Sequence, residues 1–206
     1  LKLAIHNAWP LYQLDINNAF LYGDLSENVY MQLPEGYHSK KDNRVCRLIK
    51  SLYGLKQAPR KWNEKLSSSL SSFGFEQSIN DYSLFVKRVK HVIVILLVYV
   101  DDIIITGNCR DELENVKSFL KSQFLIKDLG ELTYFLGIEV IKTDQGICLN
   151  QRKYCFELLH EFGMLACKLV KTPLEPNLVI KRECDLDPSD YVVNITEFQK
   201  LIGKLI

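Results

Sequence analysis

The chain is short of the features that assign a protein quickly. Its formal charge is +1 over 206 residues, so no net basicity advertises a nucleic-acid binder. Its six cysteines (Cys46, Cys109, Cys148, Cys155, Cys167, Cys184) show no CxxC or other zinc spacing, which excludes the common structural zinc modules. No signal-peptide pattern opens the sequence, so the thiols are expected to be reduced and the protein intracellular. The longest apolar run, residues 93 to 105, is too short and too β-branched to cross a membrane, and two carboxylates interrupt it. Internal repeats and low-complexity tracts are missing as well. Lys and Arg are absent from Leu3 to Ser39, where Asp15, Asp24, Glu27 and Glu35 carry the charge. From Lys40 to Lys61 the balance reverses, with eight basic residues against Asp42 alone. That asymmetry suits a protein meeting both cations and phosphates, although a solvated surface produces the same pattern.

What is present is enough apolar sequence, 47%, to bury a core. Leu11 to Ile16 reads as a strand, and Val29 to Leu33 and Val45 to Leu48 as two more. Pro59 is expected to open a helix at its first position, with Trp62, Leu66, Leu70 and Phe73 on one face and Gly74 closing it. Leu84 to Val89 and Val92 to Val100 form a hairpin, and Ile103 to Thr106 a further strand. Asp111 to Phe124 is amphipathic through Leu113, Val116, Leu120 and Phe124. Leu132 to Ile141 and Ile147 to Asn150 read as a hairpin around Asp144-Gln145-Gly146, and Arg152 to Phe162 as a third helix. Thr172 to Asn177 is expected to be a connector and Lys181 to Asp190 loose. The order gives an α+β fold, an antiparallel sheet with helices on one face. Leu1 to Ile5 begins within a helical pattern, and the periodicity of Phe198, Leu201, Ile202 and Leu205 still runs at the other end. The chain is therefore expected to be a piece of a longer polypeptide.

The chemistry concentrates in Tyr99-Val100-Asp101-Asp102. The Asp pair is expected at the tip of a hairpin between two apolar strands. Ionised carboxylates about 4 Å apart repel by roughly 4 kcal/mol at an effective dielectric near 20. A divalent cation offsets such repulsion, while ordinary turn chemistry equally favours Asp. Asp15, on the first strand, supplies a third acid that can converge on the same point; a local cap or pairing role is the alternative. Three carboxylates with open coordination positions suit two Mg²⁺ ions that activate a hydroxyl and stabilise a leaving pyrophosphate.

Taken in order, Leu14-Asp15-Ile16-Asn17-Asn18-Ala19-Phe20, residues 51 to 62 (SLYGLKQAPRKW) and Tyr99-Val100-Asp101-Asp102 resemble the reverse transcriptases of copia-type LTR retrotransposons. Residues 127 to 139 (KDLGELTYFLGIE) and 151 to 154 extend the resemblance over nearly the whole chain. It implies a polymerase palm with a ferredoxin-like sheet over residues 1–141, then the end of a primer-grip hairpin, a thumb and a connection over 142–206. Asp15 and Asp101 would be shared metal ligands, with Asp102 supporting them, around two Mg²⁺ ions that Mn²⁺ can replace. Phe20 would bar the ribose 2′-hydroxyl; core packing is its other reading. Gly54, Lys56 and Gln57 would line the nucleotide site. Tyr99, Arg60 and the Phe135-Leu136-Gly137 hairpin would meet primer and template, although Arg60 equally fits a solvated helix face.

The activity so implied is RNA-directed DNA polymerisation on a primed RNA or DNA template with deoxynucleoside triphosphates. The integrase and ribonuclease H parts of a Pol polyprotein would be partners, and no membrane is involved. A cytoplasmic virus-like particle or the nucleus would be the location. A fingers segment, expected before Asp15 in this family, is missing, so the chain alone is expected to have weak activity or none. The competing expectation is a non-catalytic transposon relic that at most binds nucleic acid. A nucleotide cyclase on the same palm would leave Gly54 to Trp62 without a role.

Overall fold

The computed structural model describes residues 1–37, 44–144, 146–169 and 194–206. The expected connector at Thr172 to Asn177, the segment Lys181 to Asp190, Cys184 and the basic pair Lys40 and Lys41 lie outside the described residues. The five described cysteines are free thiols. No helix among the described residues is long and apolar enough to cross a membrane.

A short helix α1 (Lys2–His6) precedes strand β1 (Leu11–Ile16) and a 3₁₀ turn at Ala19–Tyr22. Strands β2 (Asp24–Gln32) and β3 (Val45–Lys50) pair as a separate antiparallel ribbon. Helix α2 (Ala58–Ser72) leads to β4 (Glu76–Gln77), β5 (Leu84–Val89), β6 (Val92–Tyr99) and β7 (Asp102–Gly107). Helix α3 (Arg110–Gln123), β8 (Ile126–Glu131), β9 (Tyr134–Phe135), β10 (Ile138–Thr143) and β11 (Gly146–Asn150) follow, then α4 (Arg152–Glu161) and α5 (Ile195–Leu205).

Six strands form one antiparallel sheet in the order β4-β5-β6-β7-β1-β8. Because β6 and β7 are rich in β-branched residues, they pair along the whole of β7, from Val94 opposite Gly107 to Tyr99 opposite Asp102. Both long helices cover the same face. Trp62, Leu66 and Leu70 of α2 and Leu113, Val116 and Leu120 of α3 pack on Leu14, Ile16, Val94, Leu96, Val98, Ile103 and Ile105. Each such side chain contributes roughly 1.5–3 kcal/mol through burial. Helix α2 ends in a Schellman motif: Phe75 N–H donates to the Leu70 carbonyl (3.0 Å), Gly74 N–H donates to that of Ser71 (3.0 Å), and Gly74 has φ +89°. On the opposite face a smaller cluster of Ala4, Leu11, Ile104, Leu132 and Val140 covers the Leu11 end of β1. Asp15 lies at the other end.

Compactness divides the chain into two units, residues 1–135 with 140–148, and residues 136–139 with 149–206. The second contains α4 and α5, tied by Lys200 to Glu161 (2.6 Å), by Lys204 to the same carboxylate, and by Tyr154 Oη donating to the Lys204 carbonyl (2.7 Å). Asn194 caps α5 by accepting from Glu197 N–H at 3.1 Å.

Three expectations need correction, and one strand was not expected at all. Pro59 is the second residue of α2 rather than the first, still within the turn whose N–H groups have no helical partner. Strand β2 starts five residues before Val29, because Asp24 pairs with Lys50 across an irregular stretch of ribbon. Residues 126–131 form β8, a polar strand at the sheet edge beside β1, where alternation is hidden by Asp128 and Gly130. Leu132 to Ile141 is not one strand: Leu136 (φ +51°) and Gly137 (φ +80°) turn the chain between β9 and β10, as a two-residue hairpin requires.

Candidate active site

The turn between β6 and β7 consists of Val100 and Asp101, while Asp102 already belongs to β7. The expectation of both acids at the hairpin tip is thus corrected by one residue. Val100 has φ +52°, a conformation that costs a β-branched residue on the order of 1–3 kcal/mol. Two bonds hold it there. Buried Trp62 of α2 donates its indole N–H to the Val100 carbonyl (2.9 Å), and Ile16 N–H donates to the Asp101 carbonyl (2.8 Å). An aromatic donor in the core thereby fixes a strained turn at the sheet edge.

Asp15 stands directly opposite Asp102 on the neighbouring strand, a pairing that brings Cα atoms to roughly 4.5–5.5 Å. Alternation puts Gln13, Asp15, Asp102 and Ile104 on the face away from α2 and α3. One row across four strands reads Tyr99, Asp102, Asp15, Lys127. Asp101 Oδ2 accepts from Tyr53 Oη (3.2 Å), and Asp102 Oδ1 from Gln13 Nε2 (3.3 Å). Asp101 Oδ1 is buried without a hydrogen-bond partner. Burial pushes the Asp101 carboxyl above its ordinary range; the Tyr53 bond pulls the other way, and the charges of Asp15 and Asp102 add to the rise. The Tyr53 hydroxyl is raised by burial and by the Asp101 charge.

Phe20 sits in the 3₁₀ turn with its ring 4.7 Å from that of Tyr53, so Tyr53 bridges Phe20 to Asp101. Buried Ser51 locks this arrangement, its hydroxyl donating to the Phe20 carbonyl and its N–H to that of Gly23. Gly54 follows with φ +94° and open space where a Cβ would project. The backbone there can approach a ligand. Gln57 occupies the N-cap position of α2 without a side-chain capping bond, Lys56 is exposed, and Arg60 pairs with Glu64 on its own helix (3.0 Å). Tyr99 is exposed beside Asp102. Phe135 packs in the smaller cluster, and Leu136 and Gly137 form the β9–β10 turn. Asp15, Asp101, Asp102, Phe20 and Tyr99 are thus gathered around one edge of the sheet, which Lys56 and Arg60 do not contact directly.

Gln13, Tyr53, Trp62 and Lys127 were given no site role by sequence, although Trp62 was placed on the buried face of its helix. Gln13 shares strand parity with Asp15, which was a usable signal. A buried Trp needs an acceptor for its N–H, which was another. Nothing local marks Lys127, whose place opposite Asp15 follows from the pairing of β8.

Residues 1–176 match the family model described as reverse transcriptase (RNA-dependent DNA polymerase). The chain belongs to that family. It is 44% identical over its full length to a retrovirus-related Pol polyprotein from transposon RE1 of Arabidopsis thaliana, covering 14% of that protein. Over 93% of the chain it is 45% identical to the Pol polyprotein from transposon RE2 of the same plant, covering 13%. Over 89% it is 38% identical to that from transposon TNT 1-94 of Nicotiana tabacum, covering 14%. The chain thus spans about one seventh of the length of these relatives. The retrotransposon assignment made from the motifs is borne out, and by family the chain is a nucleotidyltransferase domain.

For this reverse transcriptase domain the donor set suits hard divalent cations: all three acids offer oxygen, and the orphaned Asp101 Oδ1 has a free lone pair. Among the described residues, however, no three His, Cys, Asp or Glu side chains are already gathered into a metal cage.

Proposed function

We propose that this chain is the palm of an RNA-directed DNA polymerase that extends a DNA primer on an RNA or DNA template. The supporting observation is the Asp101 carboxylate, desolvated, with one oxygen unpartnered, beside Asp15 and Asp102. Strand, helix, two strands, helix, strand (β1, α2, β6, β7, α3, β8) with spatial order β6-β7-β1-β8 supports a ferredoxin-like palm over 1–141. In this reading residues 142–206 continue into the primer-grip hairpin end, thumb and connection.

Asp15 and Asp101 would hold two Mg²⁺ ions, or Mn²⁺ in their place, with Asp102 in support. Such ions, when bound, would activate the attacking 3′-hydroxyl and offset the charge of the leaving pyrophosphate. The residues do the positioning. Trp62 and Ile16 fix the turn that carries Asp101. Tyr53 holds Asp101 through its hydroxyl, a hydrogen bond that a bound cation would compete with, and packs its ring against Phe20. Phe20 excludes the 2′-hydroxyl by volume, and the open backbone at Gly54 faces the incoming nucleotide, with Gln57 and Lys56 following. Tyr99 and the Phe135-Leu136-Gly137 turn contact the primer, and other Pol domains act on the product.

Mg²⁺-dependent extension of a DNA primer on an RNA template, with Asp101→Asn alongside, tests this. Weak extension by the chain alone and stronger extension with a fingers segment restored, both lost in the variant, is the expected result; extension that survives Asp101→Asn overturns it. A non-catalytic relic is favoured by the ungathered carboxylates alone. A folded chain inert in both Mg²⁺ and Mn²⁺, alone and with a fingers segment restored, would establish that reading instead.

A further inference from the structure

Gln13 is a costly residue for its position. It is 8% exposed and lies between Leu11 and Asp15 on one face of β1, with Ile104 and Gly130 as its strand neighbours. Leu11 and Ile104 belong to an apolar cluster that a leucine at 13 would extend. A buried amide must find a partner to offset its desolvation. Its partner is Asp102, reached diagonally across to β7, two residues before Ile104. Only a long side chain spans that diagonal; asparagine is one methylene short.

The orientation of the amide follows from chemistry. An ionised carboxylate only accepts, so the NH₂ end must face Asp102 Oδ1. The donor is also neutral. A lysine or arginine there would grip the carboxylate more strongly, but its charge would compete with a divalent cation for the same acids. Tyr53, which donates to Asp101, is neutral too. The β1–β8 pairing changes register between Gln13 and Leu14, and Gly130 leaves the β8 side of Gln13 without a side chain. The backbone around this residue is thus shaped rather than regular.

We propose that Gln13 is a positioning residue: through Nε2 it fixes the Asp102 carboxylate beside Asp15 and Asp101, so that the three acids receive divalent cations as one set. This rests on the metal-dependent reading above. Hydrogen-bonding partners behind metal ligands typically govern metal affinity by about 10–100-fold.

The test is Mn²⁺ titration of the 206-residue chain, followed by the EPR signal of free Mn²⁺. Wild type, Gln13→Met, Gln13→Asn, Asp101→Asn, Asp102→Asn and the Gln13→Met/Asp102→Asn double variant are compared, with circular dichroism and Tm in EDTA as folding controls. Gln13→Met and Gln13→Asn are each expected to weaken Mn²⁺ binding about tenfold or more at unchanged secondary structure. Gln13→Met is expected to add nothing once Asp102 is Asn, because its effect passes through that carboxylate. Affinity within twofold of wild type in either folded Gln13 variant, while Asp101→Asn loses the site, overturns the role of Gln13 and leaves the metal reading standing. Equal weakening with and without the Asp102 carboxylate also overturns it. Wild-type binding that is insensitive to Asp101→Asn removes the metal reading itself, and the role of Gln13 with it.

Discussion

Replacing Asp101 by asparagine should stabilise the metal-free chain while abolishing its chemistry. The carboxylate is desolvated, has one oxygen without a partner, and faces Asp15 and Asp102. Charges on neighbouring strands about 6 Å apart repel by roughly 3 kcal/mol at an effective dielectric of 20. Water and salt at this partly exposed edge reduce the sum over both neighbours to about 1–2 kcal/mol. Asparagine keeps the size, still accepts from Tyr53, and offers an NH₂ group to the remaining acids. At about 2–4 °C per kcal/mol for a chain of this size, Tm in EDTA at pH 7 should rise by about 2–8 °C. The sign with pH follows from the raised carboxyl. Its charge costs stability above its folded pKa, and that cost vanishes as pH falls toward the unfolded value of 3.8. The advantage of Asp101→Asn should therefore shrink as scanning calorimetry moves from pH 7 toward pH 4. Added Mg²⁺ should raise the wild-type Tm and leave the variant unmoved. A variant less stable than wild type in EDTA at pH 7 would refute the reasoning, since the carboxylate would then be a structural acceptor.

Three further outcomes follow from particular contacts. Phe20→Ala, which removes the ring packed on Tyr53, should let ribonucleotides into the extension product; unchanged discrimination in alkali-cleavage analysis would make Phe20 a packing residue only. Gly107→Ala places a Cβ well inside 3.0 Å of the Ile93 carbonyl oxygen and 3.3 Å from Leu113 Cδ2, so it should cost about 1–3 kcal/mol in urea unfolding. Lys117→Met should cost about 2–3 kcal/mol, because it strips the buried ammonium that holds Asp128 (3.2 Å) and lies over the Tyr12 ring (3.9 Å). Burial pushes the Asp128 carboxyl up, but the Gly130 N–H and the ammonium groups of Lys117 and Lys121 outweigh it and hold it low. The wild-type advantage over Lys117→Met should thus diminish as pH falls below 3.8, and a pH-independent difference would argue against the pair.

Much of the fold was legible because its signals are local. The 4-4 spacing of Trp62, Leu66 and Leu70, the Gly74 stop and the β-branched runs of β6 and β7 are each set by residues within a few positions of one another. Strand β8 was not legible, because an edge strand need not alternate: its polar residues meet solvent on one side and Lys117 on the other. Apolar periodicity hid the break at Leu136 for the opposite reason, since an apolar residue in a left-handed turn looks like the strand around it; only the resemblance marked a hairpin there.

The sequence by itself determined the family, since an ordered set of long motifs is specific without any coordinates, and it singled out Asp15, Asp101 and Asp102 as the candidate acids. It also determined which stretches are helix or strand wherever apolar periodicity is strong. Only the tertiary structure decided which acid is desolvated. Asp101 loses water because Trp62 and Ile16 hold its turn against the sheet, while Asp15 and Asp102 meet through β1–β7 register across 86 intervening residues. It also decided the neutral donors: Tyr53 and Gln13 reach the acids by a ring contact and a cross-strand diagonal. The parity of Gln13 with Asp15 hints at a shared face, but which acid each donor reaches leaves no trace in local spacing, because burial and field depend on what folds back from far along the chain.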